Sequence, residues 1–368
     1  METAGGSEAL FSPFELRGMH LRNRVLMAPM SRYSCPDRMP NDELIAYYRR
    51  RAEARVGLVL TGAAAIDRPA ANNSPLLADF RPVCYPMWKR AVEAVHAAGG
   101  AIAIQLWHAG GLYEIDPEYR PAPRESPSGL AAPGQMVGDP MSEEAIADVI
   151  TAYGRAAAAA KTLGFDAVEI HAAHGFLLDQ FFWSETNRRS DRWGGSLISE
   201  RARFAAAVIH EVRTSVGHDV PVLARISQWK EQDYGARLAN NPEEIRAWLQ
   251  PLVDAGVDCF HCSQRRWWEA QFDGSNLNLA GWVKKVTGKP TITVGSVGLD
   301  VDVMSSFNGA SATPTPLGAV EERLARGEFD LVAVGRALLS DPQWVLKISD
   351  ARYTEMQPFD RSATNTVW

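Results

Sequence analysis

Residues 25–35 read VLMAPMSRYSC, an apolar run followed by a stretch with no glycine. The run Val25–Ala28 predicts a strand. A doubly wound α/β sheet that binds a dinucleotide carries a G-x-G-x-x-G turn after its first strand, where the backbone meets a pyrophosphate. That turn is missing here. Further β-branched or apolar runs lie at Gly57–Thr61, Ala101–Leu106, Ala167–Ile170, Val222–Ile226, Cys259–Ser263, Thr291–Val294 and Leu331–Val334, separated by segments with helical periodicity. Eight strands alternating with helices predict an α/β fold, a single (β/α)8 TIM barrel. Asn41, Ser142 and Asn241-Pro242 precede acidic residues at the heads of helical segments, as N-caps do. Gly164, Gly256 and Gly327 fall near helix ends, where a left-handed residue is needed.

Outside the alternation, residues 13–24 (PFELRGMHLRNR) read as a β-hairpin turned at Arg17-Gly18, a plug for the barrel's bottom. Ala109–Met141 is rich in Pro and Gly and too long for an ordinary connection, so a lid or binding loop is expected after strand three. Gln264–Asn278, after strand six, carries the adjacent Trp267 and Trp268, suited to a substrate wall or a subunit contact. Residues 1–368 are expected to form one domain, with 1–12 and 349–368 as peripheral tails.

Composition narrows the class. With 46% hydrophobic and 22% charged residues the chain matches a soluble globular protein. Lys+Arg 38 against Asp+Glu 44 gives a net charge of −6, which argues against a nucleic-acid footprint. No uncharged apolar run approaches the roughly 18 residues of a membrane span. The opening METAGGSEALFS lacks the basic and apolar regions of a secretory signal, so a cytoplasmic enzyme is expected. Four cysteines make no disulfide framework. Cys259 and Cys262 form a C-x-x-C, but residues three apart on a strand face opposite ways, which argues against a shared metal.

Four constellations carry chemistry. Strands seven and eight end in TITVGSVG (291–298) and DLVAVGRALL (330–339), each stopping at a glycine. Gly295, and Gly335 with Arg336, offer close backbone approach, helix-start N–H groups and a fixed cation, in the loops where barrels hold phosphate. A phosphorylated cofactor or substrate follows, without fixing which. Strand four leads into VEIHAAHGF (168–176), where His171 and His174 can converge on one ligand oxygen and stabilise negative charge there. A metal site would need further ligands, and no H-E-x-x-H or third clustered ligand is nearby. Gln105 in AIAIQLWHAGG (101–111) can donate to and accept from a planar heterocycle. Arg225, ending strand five, suits an anionic ring, a phosphate or a structural salt bridge.

Together with NRVLMAPMSRYS (23–34), QLWHAG (105–110) and DQFFWSETNRRSDRWGGS (179–196), these motifs resemble the Old Yellow Enzyme family of FMN-dependent ene-reductases over nearly the whole chain. The resemblance is strongest to the bacterial NADH:flavin oxidoreductase branch. It implies that Ala28, Pro29, Met30 and Ser31 line the flavin, with Ser31 near its reactive edge. Ala63 and Gln105 would contact the isoalloxazine and Arg225 its pyrimidine side, while Gly295, Ser296, Gly335 and Arg336 hold the FMN phosphate. His171 and His174 would grip the carbonyl oxygen of an α,β-unsaturated substrate, with Tyr33 beside it. NADH or NADPH would reduce FMN, and the reduced flavin would pass hydride to the substrate's β-carbon as a proton reaches the α-carbon.

Two positions depart from that pattern. The family's usual tyrosine proton donor, two residues after the second oxygen-binding group, is replaced by Phe176. Water, Tyr33, Tyr113 or Tyr119 then supplies the proton, or the substrate's enolate needs little help, or the net reaction is an isomerisation or dehydrogenation. Gly111 stands where relatives often carry Arg. The rival without flavin, a phosphate-binding barrel lyase or aldolase, calls for a Schiff-base lysine or an acidic metal cluster at a strand end. The predicted strand ends carry Gln, His and Arg instead, and no lysine. A second rival is a flavoprotein that binds carbonyl ligands without turning them over. A homo-oligomer is compatible with the sequence.

Overall fold

In a computed structural model, which describes residues 8–112 and 118–368, the hairpin β1 (Phe14–Leu16) and β2 (Met19–Leu21) precedes eight parallel strands. These are β3 (Val25–Met27), β4 (Leu58–Ile66), β5 (Ala101–Trp107), β6 (Ala167–His174), β7 (Val222–Lys230), β8 (Cys259–Ser263), β9 (Thr291–Val294) and β10 (Leu331–Val334). Each pairs with its sequence neighbours, and β10 pairs with β3, which closes the barrel. Helices cover the outside; those at Asp42–Glu53, Glu143–Leu163 and Pro242–Asp254 start where Asn41, Ser142 and Asn241 accept a backbone N–H. Gly164 ends the second of these in the left-handed region at φ 90°.

Two apolar layers hold this together. One lies between strands and helices. The other fills the barrel, where Leu26, Leu58, Leu60, Leu223, Cys259 and Ile292 meet Met19 and Leu21 of the hairpin. The hairpin therefore plugs the barrel from below. Cys259 belongs to the inner layer and Cys262 to the outer one, as strand alternation requires. Among the described residues no group of His, Cys, Asp or Glu could hold a metal ion, and no helix is long and apolar enough to cross a membrane.

Three strands run a full repeat of the pleat or more past the ends read from sequence, β4 to Ile66 rather than Thr61, β6 to His174 rather than Ile170 and β7 to Lys230 rather than Ile226, while β5 gains only Trp107. Their last residues include Gly62, His171, Ser227 and Gln228, which break an apolar pattern while the backbone continues extended. The extension of β7 corrects one expectation, because a lysine does stand at a strand end. Lys230 is fully buried and donates to Asp179 Oδ1 at 2.8 Å, while Asp179 Oδ2 accepts the Gly175 N–H at 2.7 Å. The pair ties β7 to the turn that follows His174. Asp179→Ala leaves the ammonium buried without its counter-ion and is expected to cost about 3–5 kcal/mol in a denaturant melt.

The C-terminal residues, expected as a peripheral tail, are largely exposed yet tied down. Arg32 donates to the carbonyls of Ala363 (2.8 Å), Thr364 (2.9 Å) and Thr366. Phe359 is buried, with the Arg336 guanidinium 5.6 Å from its ring.

Candidate active site

A cavity of about 310 Å³ opens at the C-terminal ends of the barrel strands. The fourteen residues that the resemblance assigns to flavin or substrate, and Phe176, all line it. Ala28, Pro29, Met30 and Ser31 form one side as the chain leaves β3. Gly62 lets them approach, since a Cβ there would sit 2.8 Å from Met30 O and 2.9 Å from Ser31 Cα. Ala63 follows on β4, and Tyr33 stands at the rim, 43% exposed.

The floor carries a buried polar chain. Gln105 Nε2 donates to Glu169 Oε1 at 2.7 Å, and His261 Nδ1 lies 2.7 Å from Glu169 Oε2. Burial raises the Glu169 pKa, but His261, Arg225 and Gln105 outweigh it and hold the carboxyl below its usual range. Beside this carboxylate, Arg225 is buried with Nε and Nη1 lacking any partner among the described residues. An unpaired guanidinium facing a cavity costs free energy unless a ligand supplies acceptors.

At the far end Arg336 donates to Ser296 Oγ (2.9 Å), Val301 O (2.6 Å), Asp302 O (3.0 Å) and Ser306 Oγ. These acceptors are neutral, so the guanidinium is fixed without a direct carboxylate partner; burial lowers its pKa to about 10. Next to it, a Cβ on Gly335 would meet only Met30 Sδ at 3.7 Å and Ala28 Cβ at 3.9 Å. The protein leaves that space open. Gly295 takes φ 135°, and a side chain there would collide with Gln264 O at 2.3 Å. A held cation beside glycine backbone fits one terminal phosphate, and Arg225 with Gln105 fits the polar edge of a planar ring. The residues present thus suit FMN.

His171 and His174 close the other side. His171 Nε2 and His174 Nδ1 lie 3.3 Å apart. Burial, and then the Arg225 charge, push both pKa values well below the ordinary histidine range. Both rings are therefore neutral at physiological pH. His174 adopts φ 64°, its N–H donates to Ser227 Oγ at 2.9 Å, and its ring lies 4.4 Å from Trp229 at 31°. Phe176 lines the cavity edge-on to His171 (5.0 Å, 86°) and Trp107 (5.2 Å, 81°), with no polar atom to offer.

The described part of the long loop lines none of the cavity; it packs beside the turn after His174, where Gln232 Nε2 donates to Ala131 O (2.9 Å) and Gly175 O (3.1 Å), and is clipped down. Arg68 and His108 hold Glu125, with His108 Nε2 2.8 Å from Oε2 and Arg68 Nε 2.7 Å from the same oxygen. Gly110 N–H donates to His108 Nδ1, so the neutral ring carries its proton on Nε2. Burial raises the Glu125 pKa, but these hydrogen bonds and charges outweigh it and hold the carboxyl at about 2. Its unfolded value is 4.5, so the clip contributes fully above pH ~4.5 and is lost as pH falls towards 2. Glu125→Gln is expected to remove about 2 kcal/mol at neutral pH. Faster limited proteolysis within 109–141 checks this; in the parent the same loosening needs acid.

Other expectations fared differently. A Cβ at Gly111 would meet Ala131 Cα at 3.0 Å, so the loop occupies the space an arginine would need. Tyr113 lies outside the described residues, and Tyr119 does not line the cavity. Neither Trp267 nor Trp268 lines it either; Trp267 is buried and Trp268 is 41% exposed. Sequence reasoning missed Trp229, Ser263 and the Glu169–His261 pair. A carboxylate inside the apolar run AVEIH was the available sign of the last.

Fold and cavity define a (β/α)8-barrel flavin oxidoreductase. The chain belongs to the NADH:flavin oxidoreductase / NADH oxidase family, whose pattern matches residues 9–355. It is 33% identical over 341 residues to an NADPH dehydrogenase of Halalkalibacterium halodurans, covering 91% of this chain and 92% of that one. It is 31% identical over 361 residues to a metal reductase of Desulforamulus reducens, covering 95% of this chain; the chain spans about half (50%) of that relative's length. Morphinone reductase in complex with tetrahydroNAD superposes with a TM-score of 0.79 at 27% identity, covering 96% and 93% of the two chains.

Proposed function

We propose that the protein transfers hydride from NADH or NADPH, by way of FMN, to the β-carbon of an α,β-unsaturated carbonyl compound. FMN, when bound, supplies the hydride chemistry; the residues named here hold, orient and polarise. The observation that carries this reading is the pair of neutral imidazoles with nitrogens 3.3 Å apart, in the same cavity as the arginine and glycine cradle. Two N–H donors aimed at one oxygen stabilise the negative charge that grows there as hydride arrives at the β-carbon. Arg225 and Gln105 would hold the pyrimidine edge, and Arg336 with Ser296, Gly295 and Gly335 the phosphate. Ala28, Pro29, Met30, Ser31 and Ala63 would line the ring.

Phe176 cannot donate the α-carbon proton. Among the described residues Tyr33 at the open rim, together with water, can supply the proton, and enone reduction is expected to proceed without a dedicated acid at position 176. The same residue favours a second reading, in which the polarised carbonyl serves a net isomerisation or dehydrogenation. Anaerobic turnover of cyclohexenone with NADH and with NADPH, with product identification by mass, decides between them. A yellow protein that consumes nicotinamide and yields saturated ketone supports the first reading. Nicotinamide oxidation with no change in the enone contradicts it.

A further inference from the structure

Two imidazoles that donate to the same oxygen require one particular pair of tautomers. The facing nitrogens are His171 Nε2 and His174 Nδ1, which share a hydrogen bond at 3.3 Å, one donating and one accepting; when a ligand oxygen enters between them and accepts from both, both atoms must carry the protons. A neutral imidazole has a single N–H, which obliges His174 Nε2 to be an acceptor. The group beside Nε2 is the Ser263 hydroxyl, 2.8 Å away at the end of β8. Ser263 is buried, and among the described residues His174 is the only hydrogen-bond partner of its Oγ.

The ring has little freedom to escape this contact. Its backbone is left-handed at φ 64° with the N–H bound to Ser227 Oγ, and Trp229 covers one face. Nor can the conflict be relieved by a second proton, because burial and the Arg225, His171, Lys230 and His261 groups all disfavour the imidazolium. Tautomer is the freedom that remains. With the serine as acceptor, Nδ1 would turn a lone pair towards the substrate oxygen and repel it.

We propose that Ser263 is a positioning residue whose hydroxyl donates to His174 Nε2 and thereby keeps the proton on Nδ1, the nitrogen that addresses the substrate's oxygen. The proposal rests on the reading of His171 and His174 as the carbonyl-binding pair. It assigns a job to a cavity-lining residue 89 positions away in sequence, which acts on the substrate's oxygen through His174.

The test uses the FMN-loaded protein with phenol bound in its ionised form, whose oxygen can only accept and therefore needs the same two donors. In 15N-histidine-labelled protein bound to phenol, the His174 resonances are expected to report Nδ1–H and a bare, hydrogen-bonded Nε2. Ser263→Ala is expected to weaken phenol binding about tenfold, with FMN content unchanged, and Ser263→Thr to restore it. A proton on Nε2 in the parent complex overturns the proposal, as does parent-like phenol affinity in Ser263→Ala. His171→Ala and His174→Ala separate the two claims. If they leave phenol binding intact, the carbonyl-binding reading itself fails; if they abolish it while Ser263→Ala does not matter, only the role of Ser263 falls.

Discussion

Replacing His171 with alanine is expected to slow enone reduction roughly 10²–10³-fold, the usual cost of removing one donor to a developing oxyanion. The size follows from the setting. The cavity is lined by Trp107, Trp229 and Phe176, so the charge on the oxygen is stabilised by fixed donors rather than by solvent. His171 Nδ1 is buried without a partner, so the ring's polar contact is directed at Nε2, beside His174. FMN should stay bound, since the contacts proposed for Arg225, Gln105 and Arg336 would not pass through this ring. Anaerobic stopped flow of the reduced variant with cyclohexenone measures the effect. A loss below threefold would mean that the carbonyl is polarised by other groups.

Phe176→Tyr is expected to act in the opposite direction. A correctly placed general acid contributes roughly 10²–10⁴-fold, and Phe176 stands against His171 at the cavity wall, within the space where substrate would sit. The ring is packed edge-on by His171 and Trp107, so an added hydroxyl extends from a ring already held in place. The rate of enone reduction should rise by up to that factor, with the gain lost above the pKa of the new phenol. A gain of this kind would also show that the parent reaction is limited by proton delivery. An unchanged rate would mean that the α-carbon lies elsewhere, or that water already delivers the proton fast enough.

The parts of the site visible in the sequence are those written as local contrasts. Gly295 and Gly335 end apolar strands, and His171 and His174 interrupt one, so each stands out against its neighbours. Partnerships between distant segments are not written that way. Glu169 and His261 meet across 92 residues, Gln105 and Glu169 across 64, and Arg68 reaches Glu125 across 57. Periodicity places each of these on a strand or loop but does not say which strands are neighbours; barrel closure does. Strand ends were underestimated for a related reason. In β4, β6 and β7 the backbone ladder outlasts the apolar pattern, because the final residues face a cavity instead of a core. The C-terminal stretch lacks periodicity altogether, and its order comes from carbonyls gripped by Arg32.

The central claim, two neutral imidazoles holding one oxygen, is tested most directly by a crystal structure of the FMN-bound protein with phenol. The phenol oxygen is expected within about 2.7–3.2 Å of both His171 Nε2 and His174 Nδ1. An oxygen bound to neither ring, or a phenol seated outside the cavity, would contradict it.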